Sequence, residues 1–265
     1  MKSYEDFEYD GLKLSSFGFI LCKFESDGLQ TVSNGAHISF NAISVQNGSK
    51  QEQTSIEYAD CLETVYQICK NPCIHKDMEI SQHELRTLSR WLNRTTNHKF
   101  KPLNEDFLDI YYEGHFNISQ LVLDGKLVGL ELEFQTNRPF ALQEPIKRTI
   151  IAETENAEVK LTDFSDVEGY IYPELSIEIA DDGDLSIYNA LEERTTYIAN
   201  CSKGEIITMN YPIIESSLAG HAIQNDFNWN FLRLSNTFKK DLNTLTISLP
   251  CTITLKYSPT IKVGL

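Results

Sequence analysis

Short alternating runs of apolar and polar residues dominate the chain, and one stretch departs from them. From Glu79 to Asn93 the apolar residues recur at helical spacing, with Leu85, Leu88 and Leu92 on one stripe and Trp91 beside it. Ser81 followed by Glu84 is a capping box, in which hydroxyl and carboxylate satisfy the first free N–H groups of a helix. Ile80 before the cap and Leu85 after it are placed as a hydrophobic staple. His83, Arg86, Ser89 and Arg90 fall on the outer arc. A helix with one apolar stripe needs a sheet or barrel to cover, so Trp91 is expected in a core rather than on display as a partner anchor.

Strand patterns lie on both sides of this helix. Phe7–Tyr9 and Leu12–Leu14 flank Asp10-Gly11, a hairpin signal, because a type I′ turn needs positive φ at both central residues. Phe17–Phe24 reads as the next strand and Asn34-Gly35 as a turn. In His37–Ala42 the residues Ile38, Phe40 and Ala42 share one side. Asn47–Thr54 is polar and reads as an exposed loop. Cys61–Cys69 fits a helical face through Leu62, Val65, Tyr66 and Cys69, or a strand face through Leu62, Thr64, Tyr66 and Ile68. Its β-branched and aromatic content favours the strand. Asp109–Tyr112 is followed by a hairpin in which Asn117–Leu123 turns at Asp124-Gly125 into Lys126–Phe134. On the return strand Val128, Leu130, Leu132 and Phe134 are expected to face the core, with Glu131, Glu133 and Gln135 facing water.

Asn137-Arg-Pro139, Gln143-Glu-Pro145 and the acidic stretch Glu153–Glu158 then interrupt the strand pattern. They divide the chain into a domain over 1–150 and a second over 151–265. The second series of strands is read from Tyr172-Pro173 onward: Leu175–Ile179, Leu185–Tyr188, Thr195–Ala199, Glu205–Tyr211, Trp229–Leu234, Thr244–Leu249 and Thr252–Tyr257. Asp181–Asp184, Ser202–Gly204 and Asp241–Asn243 supply turns. Short strands at this spacing predict a β-sandwich.

The formal charge of −15 argues against nucleic acid as an electrostatically held ligand, since phosphate binding needs clustered cations. It is compatible with a surface past which DNA slides without sticking. No apolar run approaches the ~20 residues of a membrane span, and the first residues carry no apolar signal-peptide core, so production inside the cell is expected. The six cysteines (Cys22, Cys61, Cys69, Cys73, Cys201 and Cys251) then read as free thiols rather than a disulfide framework. Cys69, Cys73 and His75 are close enough to suggest a metal site, but without an identifiable fourth ligand the expectation is no metal. Asp181, Asp182 and Asp184 offer hard oxygens for calcium. The glutamate that closes a regular calcium loop is missing, so a solvated turn is expected. His115 and His221 have no partner that sequence identifies. There is no GxSxG, HExxH, P-loop or GxGxxG motif, and no catalytic residue or cofactor is assigned.

The order of these features resembles one family. Phe7-Glu-Tyr-Asp-Gly-Leu with Phe17-Gly-Phe, the helix ending Leu88-Ser-Arg-Trp-Leu92, Tyr111-Tyr-Glu-Gly114 and Gly129-Leu-Glu-Leu-Glu-Phe134 are similar to the first half of distal tail proteins. These are components of phages infecting Gram-positive bacteria, with equivalents in prophages and phage-tail-like bacteriocins. Tyr172-Pro173, the Asp-Gly-Asp turn, Gly204-Glu-Ile-Ile-Thr and the closing Leu255-Lys-Tyr257-Ser-Pro259 with Val263-Gly264 resemble its second half. The resemblance implies a mainly β chain, with an N-terminal β-barrel-like domain carrying one helix and an arm, and a C-terminal galectin-like β-sandwich. It implies a homo-hexameric ring at the tail tip in the virion, assembled in the host cytoplasm. The ring would join the tail tube protein to the baseplate hub and receptor-binding proteins, with DNA passing through its channel and no stable membrane insertion.

Two other functional classes stand beside this structural one. A lectin-like sandwich stacks sugars on exposed aromatics, and Tyr188, Tyr197, Trp229 and Tyr257 are the candidates, although core packing or partner contact is the expected role of each. A glycosidase needs two carboxylates roughly 5–10 Å apart, and among so many acids sequence selects no pair.

Overall fold

The computed structural model describes residues 6–24, 38–44, 48, 51–58, 61–105, 109–237, 239 and 242–264. The turn expected at Asn34-Gly35, the strand start at His37 and the turn residue Asp241 lie outside them. The chain is mainly β and divides into two compact units, 1–143 with 261–265, and 144–260.

Unit 1 contains β1 (Phe7–Tyr9), β2 (Leu12–Lys13), β3 (Phe19–Cys22), β4 (Ile38–Ser44), β5 (Gln51–Tyr58), β6 (Glu63–Lys70), helix α1 (Gln82–Leu92), β7 (His98–Pro102), β8 (Ile110–Leu123), β9 (Lys126–Thr136) and β10 (Ala141–Gln143). Its main sheet runs β2-β1-β7-β8-β9-β6-β3, and every one of these pairs is antiparallel. Cys61–Cys69 therefore resolves as a strand. The sheet curls strongly. Phe7 on β1 and Tyr66 on β6 are separated by β7, β8 and β9 along the sheet, yet their rings lie 6.2 Å apart across its interior. Phe100, Phe116 and Phe134 fill that interior in contact with one another, with ring centroids 4.5–5.7 Å apart.

Helix α1 sits against this barrel-like core and begins as expected. The Ser81 hydroxyl accepts from Glu84 N at 3.3 Å while Ser81 N donates to Glu84 Oε2 at 2.8 Å. The Glu84 carboxylate also meets the buried Lys70 ammonium at 2.9 Å, which ties the helix start to β6. Ile80, Leu88, Trp91 and Leu92 are buried, whereas His83, Arg86 and Arg90 are exposed. Trp91 stacks on Phe17 at 4.4 Å and donates from Nε1 to Tyr9 O at 2.9 Å, so it fills a core position and locks α1 to β1.

The turns at Asp10-Gly11 and Asp124-Gly125 form with positive φ at each residue (51° and 77° in each). The β8–β9 hairpin departs from expectation at one point. Leu121 pairs Gly129 and Val122 pairs Leu127, leaving Val128 as the extra residue of a bulge. A bulge shifts the side-chain alternation by one. Leu127 is therefore buried in place of Val128, while Leu130, Leu132 and Phe134 face the core as expected. Gly114 is required by packing, since a Cβ there would stand 2.2 Å from Gln135 O.

A second correction concerns Asn47–Thr54, read as a loop. Residues 51–54 belong to β5, which pairs with β4 in a separate two-stranded sheet. Gln51, Glu52, Gln53 and Thr54 can be polar in a strand because neither face of this stretch is buried, and the apolar alternation that marks a half-buried strand is missing.

Unit 2 contains β11 (Ile146–Ala152), β12 (Ala157–Leu161), β13 (Gly169–Ile171), β14 (Glu174–Ile179), β15 (Gly183–Asn189), β16 (Arg194–Cys201), β17 (Ile206–Asn210), β18 (Ile213–Ser216), the one-turn helix α2 (Ile223–Asp226), β19 (Leu234–Asn236), β20 (Asn243–Ile247) and β21 (Cys251–Tyr257); β22 (Thr260–Ile261) closes the chain. The order β11-β21-β14-β17-β18 makes one sheet and β12-β20-β15-β16 the other. Ile177, Ile207, Ile253 and Leu255 from the first meet Leu185, Ile187, Ile198, Leu245 and Ile247 from the second in one buried core. This is a β-sandwich. Strands precede Tyr172 here, and Glu153–Glu158 spans the turn between β11 and β12. The strand expected over Trp229–Leu234 is a loop leading into β19, because Trp229 has φ +58°, which a β-strand excludes. Beyond Thr260 the chain returns to unit 1, where Tyr112 Oη donates to Gly264 O at 2.9 Å.

Trp91→Ala should destabilise unit 1 by about 3–5 kcal/mol in denaturant titration, the range for deleting a large buried aromatic. Glu84 yields a pH prediction. Burial opposes its ionisation, but hydrogen bonds from Ser81 and Lys70 outweigh that and bring its pKa down to about 2. A carboxylate depressed in the folded state stabilises above its unfolded pKa and loses that contribution as pH falls through the folded one. The stability advantage of the native chain over Glu84→Gln should therefore be full near neutrality, shrink below about pH 4.5 and vanish near about pH 2.

Candidate assembly surface

The β4–β5 hairpin carries exposed apolar side chains on neighbouring positions. Ile38 pairs Tyr58 and Phe40 pairs Ile56, and directly paired residues of antiparallel strands point to the same face. Their exposures are 48%, 38%, 63% and 59%, so one face of the hairpin presents four large apolar groups to solvent. Ile43, at 60%, is also exposed. A register shift after Asn41 leaves Thr54 unpaired, and its hydroxyl donates to Asn41 O at 2.9 Å. The base of the hairpin is held by Tyr58, whose ring meets Phe140 edge-on at 5.1 Å. Isolated exposed apolar residues are ordinary, but a contiguous face of this kind marks a contact surface. Ile38 and Phe40 were expected on one side of a strand, as found. What the sequence pattern missed is that this side is uncovered, because the alternation of a buried strand and of a partner-covered one is identical.

Unit 2 holds a buried charged cluster at the base of β17. Glu205 is fully buried and accepts from Ser202 N at 3.0 Å, Ser216 Oγ and His221 Nδ1 at 2.6 Å. His221 Nε2 lies 3.3 Å from Asp226 Oδ2 on α2. Burial pushes the Glu205 pKa up, while the hydrogen bonds from Ser216, Ser202 and His221 prevail and hold it below the usual carboxylate range. The cluster pins the segment after β18 to the sandwich. No sequence motif announced it, since Glu205 and His221 are sixteen residues apart.

The remaining candidates are dispersed. Asp184 accepts from Tyr197 Oη at 2.6 Å and from Asn200 N at 2.9 Å, and these bonds, Tyr197 first, lower its pKa. Asp182 accepts from Lys203 N and Asp181 pairs with Lys203 Nζ, so the acidic turn is tied to the Ser202–Gly204 turn. Cys69 faces Cys22, Cys73 is exposed, and His75 packs against Gly18, so the three do not converge. Among the described residues no group of three or more His, Cys, Asp or Glu side chains is arranged to hold a metal ion. His115 Nδ1 lies 3.1 Å from Asn97 Oδ1. Of the four aromatics, Tyr257 is a core residue whose Oη donates to Thr162 O, and Tyr197 is engaged with Asp184. Tyr188 and Trp229 are exposed at 37% and 55%. Among the described residues no helix is long and apolar enough to cross a membrane.

This mainly β chain belongs to a family of phage tail proteins. Residues 2–138 match the model of a phage tail protein N-terminal domain, and residues 140–257 that of a phage tail C-terminal domain. Among solved structures the fold is similar to the crystal structure of phage SPP1 Dit (gp 19.1), a paradigm of the hub adsorption apparatus in phages infecting Gram-positive bacteria. The TM-score is 0.66 at 13% identity, over 97% of this chain and 99% of that one. No curated protein matches the chain.

His221→Ala should remove one of the three hydrogen-bond donors to the buried Glu205 carboxylate. Unfolding of unit 2, followed by denaturant titration, should show a loss of about 1–3 kcal/mol, the range for a hydrogen bond to a charged group.

Proposed function

We propose that this protein is a distal tail protein that forms a hexameric ring at the tail tip, joining the tail tube to the baseplate hub. The carrying observation is the likeness to SPP1 Dit over almost the full length of both chains, together with membership of a phage tail family. Its role is structural rather than enzymatic. The N-terminal domain, with the β4–β5 hairpin as its arm, makes the ring contacts, and the C-terminal, galectin-like sandwich faces the receptor-binding proteins. The ring is built in the host cytoplasm and resides in the virion tail, where DNA passes through a channel without a strongly basic lining.

The hairpin supports this reading on physical grounds. A two-stranded hairpin is marginal in water on its own, and its apolar face gains a covering layer in a neighbouring copy. A ring repeats one head-to-tail interface around an axis, so a single protruding element that fits a surface elsewhere on the next copy is enough to close it. Net charge acts the other way, because −15 on each chain opposes bringing six together, and salt screens charges more than ~8–10 Å apart.

A second reading, sugar binding by the sandwich, rests on Trp229. It is 55% exposed at positive φ, and the preceding Asn228 holds the loop by accepting from Tyr197 N and Asn230 N and donating to Thr195 O. A glycan array separates the two readings.

Mass photometry across a salt series, with tube and hub partners added, tests the ring. Hexamers should be favoured as ionic strength rises from low values. Phe40→Ser with Ile56→Ser should abolish them while leaving the thermal transition of the monomer within a degree or two, because neither side chain is in a core. A chain that stays monomeric with both partners present, or forms closed dimers alone, would rule the ring out.

A further inference from the structure

We propose that the solvent face of α1 on one copy docks on the outer wall of β6 and β9 on the next, arginines against glutamates. The inference rests on the ring reading above and adds a second contact to that of the hairpin. In a chain of net charge −15, α1 is locally cationic. His83, Arg86 and Arg90 are exposed along its outer arc. The helix has one carboxylate, Glu84, and it is taken up by Ser81 and the buried Lys70. Among the described residues neither Arg86 nor Arg90 meets a carboxylate. Four residues apart, they share a face and stand about 6 Å from one another along the axis.

The wall opposite in charge is built from two antiparallel neighbours. Glu63 on β6 pairs Gln135 on β9, Val65 pairs Glu133 and Gln67 pairs Glu131. Ile68, Leu130, Leu132 and Phe134, on the alternate positions, are buried, so the three glutamates lie on the outer face. Gln67 Nε2 donates to Glu131 Oε2 at 3.2 Å and Gln135 Nε2 to Glu63 Oε1 at 2.7 Å. These neutral amides orient the carboxylates and leave their charge in place. Among the described residues no lysine or arginine pairs with Glu63, Glu131 or Glu133. Glu131 and Glu133 are two positions apart on one strand, about 7 Å, which matches the spacing of the arginines.

Leu88, Trp91 and Leu92 of α1 lie in the same buried core as Ile68, Leu130 and Leu132. The helix therefore covers the inner side of the wall, and its solvent face and the wall's outer face point to opposite sides of that core. One copy cannot bring the two together. A second copy can, and the contact is head-to-tail, the kind that closes a ring. Guanidinium on carboxylate also fixes register, because its paired hydrogen bonds are directional. Pairs at contact are screened less than the repulsion between whole chains, so this interface is compatible with assembly that strengthens as ionic strength rises from low values.

Mass photometry of the full chain with its tube and hub partners reads the outcome. Arg86→Glu with Arg90→Glu sets acid against acid, and Glu131→Arg with Glu133→Arg sets base against base. Each protein alone should lose its hexamers and keep its thermal transition, since all four side chains lie on outer faces. Mixed in equal amounts, the two should form hexamers again, because every contact in an alternating ring then joins opposite charges. Should reversal unfold either protein, Arg86→Gln with Arg90→Gln and Glu131→Gln with Glu133→Gln replace them, and each should lose hexamers. Hexamers from either altered protein alone would overturn the proposal and leave the ring reading intact. Loss in both without recovery in the reversed mixture would also overturn it, giving these faces to a tube or hub protein. Absence of hexamers from the unaltered protein shows before any substitution is made, and would remove the ring reading and this contact together.

Discussion

The seating of Trp91 holds the N-terminal unit in its curled form. Its ring lies on Phe17, its Nε1–H reaches the Tyr9 carbonyl, and the helix that carries it starts on a capping box whose carboxylate is shared with Lys70 on β6. One helix thereby joins β1, near one end of the sheet, to β6, near the other. Packing inside the curl is close, with Phe7, Phe100, Phe116 and Phe134 in mutual ring contact and Gly114 giving way to the Gln135 backbone. Interiors of this kind resist gradual deformation.

The β4–β5 hairpin forms a separate two-stranded sheet without a core of its own. Its side chains are apolar on one face and exposed, which is unfavourable for a lone monomer and favourable where another surface covers them. The sandwich differs in kind. Its two sheets share one apolar core, and its loops are held by polar bonds such as Glu205 with His221 and Asp182 with Lys203.

Much of this was legible in the sequence wherever one local rule decided the outcome. Ser81, Glu84 and the leucine stripe specify α1 because capping and periodicity act over adjacent turns. The turns at Asp10-Gly11 and Asp124-Gly125 form because few other residue pairs tolerate positive φ at both positions. The misreadings arose where context overrode the local pattern. Val128 lost its core position to Leu127 through a bulge, which no residue type signals. Residues 51–54 read as a loop because a strand with no buried face carries no apolar alternation. Ile38 and Phe40 read correctly as strand residues, but pattern alone does not say whether the layer over them comes from the same chain. The spacing of strands and turns puts a strand over Trp229–Leu234, whereas Asn228 fixes that loop through three hydrogen bonds. The family was legible through the order of many weak motifs rather than through a functional residue, as suits a protein whose role lies in surfaces.

The central claim is that this fold closes a ring whose contacts are made through the hairpin. Electron microscopy of the purified protein with its tube and hub partners tests it most directly. Two-dimensional class averages should show six-fold rings around an open channel, and the same preparation of the Phe40→Ser, Ile56→Ser protein should show none. Averages of isolated monomers, or of closed two-fold dimers, from the unaltered protein would contradict the account.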